Sequence, residues 1–534
     1  MPRSLVAIGL ALCVSGLSAQ PVRDDILAAA VKAGEGTWRG VERLDGNLTS
    51  RSLFQYAFVL CETRTNLERL PRLLELAVRM QDRDPGSPTL GNSRWQWSDG
   101  AVLDANAVDF CMQYGVLLWL RHRDLPAAAL RQELAGLLDY GIQGALRHRV
   151  PASYTNIALM NAGNLILLGE ALDRPDVSAE GRRRLDAFCV YTAETGVHEY
   201  GSPTYYGVDL ECLLLLHRFT CDAAVRSQAD ALLRLFWEML AGTWYAPAQR
   251  LGGAHSRDYD YQRGLGALDG YLASAGWLDA AAARVALPLV SAFAEWQPAA
   301  ELRQRNAARV PRWVVQTWGV GKADTCRLWA TPDVALGSAG AGYGGGMDLP
   351  LTIDFAQPRQ AVRTYFIADA RRDPYGRKRI PAGGGHEKTL HLNPFWAAVQ
   401  DRGEALALVL YRSRDLPENP PTLESHVVCA ADMDEIRIAG QSIGPERRAA
   451  GTAIPLEPGQ VLAVRRGRGA WALRVPWSRT MAGAVAPAAL IFDASAPDAC
   501  RLTVAHHSLW GDVSPAVVPG AAFWVRVASD LAPE

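Results

Sequence analysis

The chain has no excess of one charge: 55 Lys and Arg stand against 56 Asp and Glu in 534 residues, a formal net charge of -1. This balance gives no electrostatic reason to expect nucleic acid or a membrane surface as a partner. Cysteine is also scarce, with nine scattered residues and no CxxC pair. Neither a zinc knuckle nor a dense disulfide scaffold is therefore indicated, and the sequence leaves open which cysteines pair. No cofactor or metal is expected.

Long apolar runs are equally scarce after the first twenty residues. The stretch "MPRSLVAIGLALCVSGLSAQ" has a basic start, a short apolar run and a small-residue end. That three-part pattern predicts a secretory signal peptide over residues 1–19. Its apolar run is too short to cross a bilayer, and no later stretch is long enough. We therefore expect an exported protein, periplasmic or secreted, without a membrane span.

The apolar periodicity divides the chain into two parts. Runs such as "NIALMNAGNLILLGEAL" and "VDLECLLLLHRF" repeat at helical spacing through the first half. Short alternating runs such as "ALALVLYRSR" and "FWVRVAS" predict strands in the second half. The glycine-rich stretch "LGSAGAGYGGGMDLP" is the predicted boundary. The expected architecture is an α/α toroid of helical hairpins over 20–335, followed by an antiparallel β-sandwich over 348–534.

Four polar residues recur at a regular spacing in the helical half. Asn106, Asn156, Tyr206 and Arg257 are separated by 50, 50 and 51 residues, and the first three begin apolar runs. This spacing fits one helical hairpin per period. We therefore expect the four side chains at equivalent ends of successive inner helices, around one mouth of the toroid. An alternative remains open, because asparagine is common at helix starts in any case.

These residue types suit β-elimination on a uronic acid sugar. An amide such as Asn156 can neutralise the sugar carboxylate, and so stabilise the enolate-like charge. Tyr206 can act as base and then as acid, if a cation such as Arg257 favours its phenolate. His255 lies two residues from Arg257 and joins the predicted catalytic set. Each residue also has an ordinary structural interpretation, such as a helix cap, core packing or an ion pair.

Aromatic residues near these positions are predicted to bind substrate. Trp95 and Trp97 precede Asn106, which is itself predicted to bind substrate, and their indoles can stack on sugar rings. Tyr205 is expected to stack on the sugar or to pack beside Tyr206. Core packing is the alternative for both tryptophans.

The motifs resemble those of the α/α-toroid polysaccharide lyases, the group of chondroitin AC, hyaluronate and xanthan lyases. Asn156 is followed by Ala162-Gly163 and a leucine-rich run, Tyr206 is followed by glycine, and "GGAHSR" ends in Ser256-Arg257. The resemblance implies Asn156 as carboxylate neutraliser, Tyr206 as base and acid, and Arg257 as its activator. The tandem tryptophan that the family places after the asparagine is absent here.

Heparinase-type relatives of that group suggest a role for histidines of the second half. Those lyases use histidines from the β-domain at the domain interface. The resemblance therefore implies that a histidine of "GGGHEKTLHLNPFW", with His391 as the chosen residue, reaches the cleft. A structural histidine at a strand end is the alternative, and the spacing of this segment matches no strong metal-ligand pattern.

The sequence thus predicts an exported lyase that cleaves an acidic, uronic-acid-containing polysaccharide. Two other classes of function remain open. A glycoside hydrolase would use paired carboxylates, for which Glu199, Asp209 and Glu211 near the tyrosines and Asp99 and Asp104 near the tryptophans are available. A glycan-binding protein would use the same asparagine, tyrosine and arginine without catalysis.

Overall fold

The computed structural model describes residues 19–125, 127–308, 310–342, 349–377, 380–381, 387–388, 392–416, 420–507 and 517–529. A helical half comes first and antiparallel sheets follow, as the periodicity predicted. The helices of the described residues are α1 Ala19–Arg43, α2 Ser50–Thr63, α3 Leu70–Met80, α4 Ala107–His122, α5 Ala128–Arg147, α6 Thr155–Ala171, α7 Pro175–Thr195, α8 Tyr205–Phe219, α9 Ala223–Thr243, α10 Leu268–Ser274, α11 Ala280–Ala283 and α12 Ala300–Ala308. None of these helices is both long and apolar enough to cross a membrane.

The helices form two layers. Helices α2, α4, α6 and α8 contact one another in succession, and each also contacts the helix that follows it. Helix α6 is apolar on every side and buried from Thr155 to Gly169, as expected for an inner helix. Its polar residues have partners, since Asn161 and Asn164 donate to the side chain and backbone of Asp109 on α4. Helix α7 carries the charged outer surface.

The second half contains two large sheets. One has nine strands in the order β15-β18-β19-β12-β7-β6-β5-β4-β3, and the other has seven in the order β10-β11-β20-β17-β16-β13-β14. The nine strands are β3 Arg312–Thr317, β4 Thr325–Ala330, β5 Val334–Ala339, β6 Leu351–Phe355, β7 Thr364–Asp369, β12 Leu423–Ala430, β15 Ala453–Pro455, β18 Ala488–Phe492 and β19 Ala499–His507. The seven are β10 Phe395–Asp401, β11 Glu404–Leu410, β13 Glu435–Ile438, β14 Gln441–Ser442, β16 Leu462–Arg466, β17 Gly469–Arg479 and β20 Gly520–Ser529.

The two large sheets share one hydrophobic core. Phe366 on β7 packs against Trp396 on β10 and Phe523 on β20, with ring centroids 4.9 and 5.6 Å apart. The Sγ atoms of Cys429 and Cys500, which face each other on β12 and β19, lie 3.3 Å apart. Two small two-stranded sheets complete the set, formed by β1 Trp244–Tyr245 with β2 Arg250–Leu251 and by β8 Ile380–Pro381 with β9 Glu387–Lys388.

The sheet half begins earlier than the sequence predicted. Strands β3 and β4 precede the predicted boundary at the glycine-rich stretch and β5 overlaps its start, yet all three pair into the nine-stranded sheet. Strand β5 reads "VALGSA", and its small residues made it look like part of a linker. Its glycine has a packing reason, because a Cβ on Gly337 would lie 2.2 Å from the backbone of Gly253.

The two halves meet through buried polar contacts. Arg250, on β2, donates to the carbonyl oxygens of Arg359 and Ala361 in the loop after β6. The backbones of His255 and Leu349 exchange hydrogen bonds of 3.0 Å in both directions. This pairing fixes the segment after β2, which carries Arg257, against the sheet half.

Candidate functional site

The regular spacing seen in the sequence corresponds to three helix starts. Asn106 precedes the first residue of α4, Asn156 lies in the first turn of α6, and Tyr206 is the second residue of α8. Arg257 does not begin a helix. It lies in the irregular segment between β2 and α10, where its φ of 49° is left-handed.

A buried carboxylate links Asn156 to Arg257. Glu199 is 1% exposed and accepts hydrogen bonds from the backbone N–H of Asn156 at 3.1 Å and from its Nδ2 at 3.0 Å. The guanidinium of Arg257 donates to its other oxygen at 3.3 Å. Sequence reasoning considered Glu199 only as an acid for a hydrolase, although an acid seven residues before a predicted catalytic tyrosine was a usable signal. Asn156 is itself fully buried, so it lies beneath the surface of the site.

Arg257 lies between two tyrosine rings. Its guanidinium carbon is 4.8 Å from the ring centroid of Tyr205 and 5.1 Å from that of Tyr154, which are cation–π distances. The hydroxyl groups of Tyr205 and Tyr259 lie 3.3 Å apart. Asn106 donates from Nδ2 to the hydroxyl of Tyr154 at 3.3 Å. We call Asn106, Tyr154, Tyr205, Arg257 and Tyr259 the tyrosine–arginine cluster.

All five residues of the tyrosine–arginine cluster are half-buried, so the cluster reaches solvent. Sequence reasoning missed Tyr154 and Tyr259. Each lies two residues from a predicted catalytic residue, at Asn156 and Arg257, and this proximity was the available signal.

Tyr206 and His255 lie inside the protein. Tyr206 is 2% exposed, its ring packs edge-on against Phe236 of α9 at 5.8 Å, and its hydroxyl has no hydrogen-bond partner among the described residues. The sequence predicted that the loop presents this hydroxyl to a sugar, and that prediction does not match its position. Because α8 begins at Tyr205, neighbouring side chains point about 100° apart around the helix, and Tyr205 takes the outward direction.

His255 is buried against two backbone segments. Its ring nitrogens lie 2.9 Å from the carbonyl oxygen of Gly201 and 3.2 Å from that of Leu251, and the residue is 1% exposed. Burial, together with the charge of Arg363, lowers the pKa of His255 to about 3. A neutral imidazole has one N–H, so it donates to only one of these carbonyl oxygens, and that bond holds the segment that carries Arg257.

The surroundings of Tyr205 shift the pKa of its phenol in opposite directions. Burial raises the pKa of Tyr205 above its usual value, and Tyr259 adds to that effect, whereas Arg257 lowers it. Burial works against the charge of Arg257, but Glu199 and the surrounding tyrosines raise its pKa overall. Arg257 is therefore a permanent cation beside the Tyr205 ring.

The predicted tryptophans do not lie in this cluster. Trp95 packs edge-on against Phe110 with ring centroids 5.2 Å apart. Trp97 lies between the guanidinium groups of Arg79 and Arg94, at 4.9 and 5.4 Å from its ring centroid. Both indoles also pack against the helical core. His391, the predicted histidine of the second half, lies outside the described residues.

Asp209 is a second buried acid near Glu199. It is fully buried on α8, and neither of its carboxyl oxygens has a hydrogen-bond partner among the described residues. Burial, and then the charge of Glu199, raise the pKa of Asp209 well above its usual range. The folded protein therefore holds the Asp209 proton more tightly than the unfolded chain does.

This raised pKa predicts a pH-dependent loss of stability that Asp209→Asn removes. The contribution of the protonated acid is fully present below the unfolded pKa near 3.9 and is lost as pH rises through the folded pKa. Urea unfolding of both proteins at pH 5 and pH 8 measures it. We expect the stability of Asp209→Asn relative to wild type to improve by about 1 kcal/mol or more between these pH values. If the difference in unfolding free energy between Asp209→Asn and wild type is the same at both pH values, the raised pKa of Asp209 is contradicted.

Comparison with known proteins gives one family match and a distant structural likeness. A profile described as a domain of unknown function, DUF8769, matches residues 81–274, a range that includes the whole tyrosine–arginine cluster. Among curated proteins, none matches this sequence. The fold is similar to heparan sulfate lyase HepC from Pedobacter heparinus, with a TM-score of 0.37 and 10% identity over 90% of this chain and 76% of that chain. It is also similar to a heparinase III gene product, with a TM-score of 0.40 and 10% identity over 99% of this chain and 88% of that chain.

Proposed function

We propose that this protein is a polysaccharide lyase that cleaves a uronic-acid-containing polysaccharide by β-elimination at the tyrosine–arginine cluster. The observation that carries the proposal is the solvent-reaching phenol of Tyr205 stacked on the guanidinium of Arg257 at 4.8 Å. A phenol beside a permanent cation supplies a base, and the cation also attracts the carboxylate of a uronic acid.

In the proposed reaction, Tyr205 carries the proton in both steps. As the phenolate, it removes the proton from the sugar carbon next to the carboxylate. The bond from the neighbouring carbon to the glycosidic oxygen then breaks, a carbon–carbon double bond forms, and Tyr205 returns its proton to the leaving oxygen. Arg257 stabilises both the phenolate and the charge that develops on the carboxylate.

The other predicted residues take supporting roles in this proposal. Asn106 is placed to donate an amide hydrogen bond to the bound sugar. Asn156 is too deeply buried to touch substrate, so it acts through Glu199, which it holds in the orientation that receives Arg257. Tyr205 thus replaces Tyr206 as the proposed base.

A hydrolase is less well supported by the same site. Two carboxyl groups must flank the scissile bond in such an enzyme. Glu199 and Asp209 are 1% and 0% exposed, and Glu211 accepts a hydrogen bond from the Tyr114 hydroxyl at 2.6 Å. None of these three acids reaches the open side of the cluster.

We also propose that the helical half is an α/α toroid. Its inner helices contact one another in succession, and the short segment Leu289–Ala292 contacts both α1 and α8, the two sides that closure would join. The predicted signal peptide supports export to the periplasm or the medium, where the protein would encounter an acidic polysaccharide.

The experiment that tests the proposal is ultraviolet absorbance during incubation with hyaluronate, chondroitin, heparan sulfate, alginate, glucuronan and xanthan. Growth of the signal of the conjugated double bond with one of them is the expected result. New reducing ends without that signal would replace the lyase with a hydrolase. Binding without any product would leave a glycan-binding protein.

A further inference from the structure

A cavity of about 340 Å³ lies beside the start of α6. The loop between α5 and α6 forms one wall and helix α7 forms the other. Its lining combines arginines with apolar residues: it includes Arg149, Arg183 and Arg184 together with Val150, Ala158 and Ala187.

The three arginines of this cavity share one carboxylate. Arg183 and Arg184 donate from Nε to Glu180 at 2.8 and 2.7 Å, and Arg149 lies 3.7 Å from the same group. The hydrogen bond from Arg183, with that from Arg184, lowers the pKa of Glu180 to about 2 against the opposing effect of burial. Three cations and one anion leave two positive charges in excess, in a chain whose formal net charge is -1.

The arginines differ in what they are free to do. Arg184 also donates to the carbonyl oxygens of Ala145, Leu146 and His148, so it holds the end of α5 and the start of the α5–α6 loop in place. The side chains of Arg149 and Arg183 are 76% and 66% exposed, and both reach solvent at the cavity mouth. Arg183 donates two hydrogen bonds to Glu180 and Arg149 lies 3.7 Å from it, so an anion from solution competes with Glu180 for these two guanidinium groups.

The cavity adjoins the tyrosine–arginine cluster. Ala152 lines the cavity, and Tyr154, only two residues further, stacks on Arg257. Two residues span at most about 7 Å, so one short turn separates the two places. A chain of sugars bound at the cluster can therefore extend over this turn into the cavity.

We propose that the cavity is a second sugar subsite, which binds an anionic sugar unit of the polysaccharide next to the reacting region. Arg149 and Arg183 bind its carboxylate or sulfate group, for which guanidinium geometry is well suited. Val150, Ala158 and Ala187 pack against the apolar face of its ring. This inference rests on the proposed function, because it assigns to the same substrate a second point of attachment.

The test is binding of a heparan sulfate oligosaccharide and of an unsulfated glucuronan oligosaccharide, measured by calorimetry. The protein carries Tyr205→Phe, so that no turnover interferes. Adding Arg149→Ala and Arg183→Ala is expected to raise Kd about 10-fold. Loss of affinity for both oligosaccharides identifies a carboxylate as the bound group, and loss for heparan sulfate alone identifies a sulfate.

Arg234→Ala is the matched control. Arg234 is also 66% exposed on an outer helix and pairs with a carboxylate one turn earlier, Asp230, at 2.8 Å. Its replacement should leave Kd within about twofold. Glu180→Gln tests the opposite direction, because it removes the competing carboxylate and should lower Kd severalfold, while Arg184 keeps its bonds to backbone carbonyls.

The outcomes separate this inference from the proposed function. Equal Kd values for the parent and the arginine variants, or no binding by the parent, would overturn the subsite. Elimination with unaffected binding would leave the lyase without this subsite. Weakened binding in the arginine variants, without elimination by the wild-type protein, would leave an anionic-sugar site on a protein that is not a lyase.

Discussion

Tyr205→Phe is expected to lower the rate of β-elimination about 10³-fold, the usual scale for loss of a general base. Phenylalanine keeps the ring that stacks on Arg257 and removes only the hydroxyl that lies 3.3 Å from Tyr259. Substrate binding should therefore persist. Initial rates from ultraviolet absorbance, with Kd for the same polysaccharide from calorimetry, separate the two effects.

Tyr206→Phe is the matched control for this result. The Tyr206 hydroxyl is buried without a partner among the described residues, so its removal should leave the rate within about twofold. It should also raise the free energy of unfolding by about 1 kcal/mol, because an unsatisfied buried hydroxyl is lost. An inactive Tyr206→Phe together with an active Tyr205→Phe would return the base to Tyr206.

The pH profile gives a second readout for the same residue. Elimination requires the phenolate of Tyr205, and burial raises the pKa of this phenol more than Arg257 lowers it. Activity should therefore rise with pH throughout the neutral and mildly alkaline range. A rate that is level across this range would contradict a tyrosine base.

The sequence predicted the order of the two halves. Helical and alternating periodicities are local properties, and inner helices such as α6 are recognisable because they are apolar on every side. The 50-residue spacing located the helix starts at Asn106, Asn156 and Tyr206. It did not locate the outward-facing tyrosine, because a shift of one residue turns a side chain by about 100° and both neighbours are tyrosines.

Long-range contacts were not predictable in the same way. Glu199 is 43 residues from Asn156 and 58 from Arg257 along the chain, and only folding brings the three together. The ring of Tyr154 reaches Arg257 because the α5–α6 loop turns back over the start of α6. For Tyr154 the available signal was that it lies two residues from Asn156 in the sequence. That nearness does not reveal which distant residue its ring contacts.

Arg257→Met is expected to abolish elimination and also to destabilise the fold. The guanidinium is the cation that faces Glu199, at 3.3 Å, and Glu199 is 1% exposed. Removing one partner of such a pair leaves a buried carboxylate without a counter-charge, which costs on the order of 3 kcal/mol. Urea unfolding measures this loss, and ultraviolet absorbance measures the activity.

The double variant Glu199→Gln/Arg257→Met separates stability from chemistry. Glutamine removes the unpaired charge, so most of the lost stability should return, and the coupling between the two sites is read from the double-mutant cycle. Activity should stay absent, because the cation beside Tyr205 is still missing. The single Arg257→Met variant should also lose stability as pH rises, since its unpaired Glu199 has a folded pKa above the unfolded value and becomes ionised at a cost. Recovery of elimination in the double variant would show that Arg257 only supports the fold, and the proposed role of its charge would then be wrong.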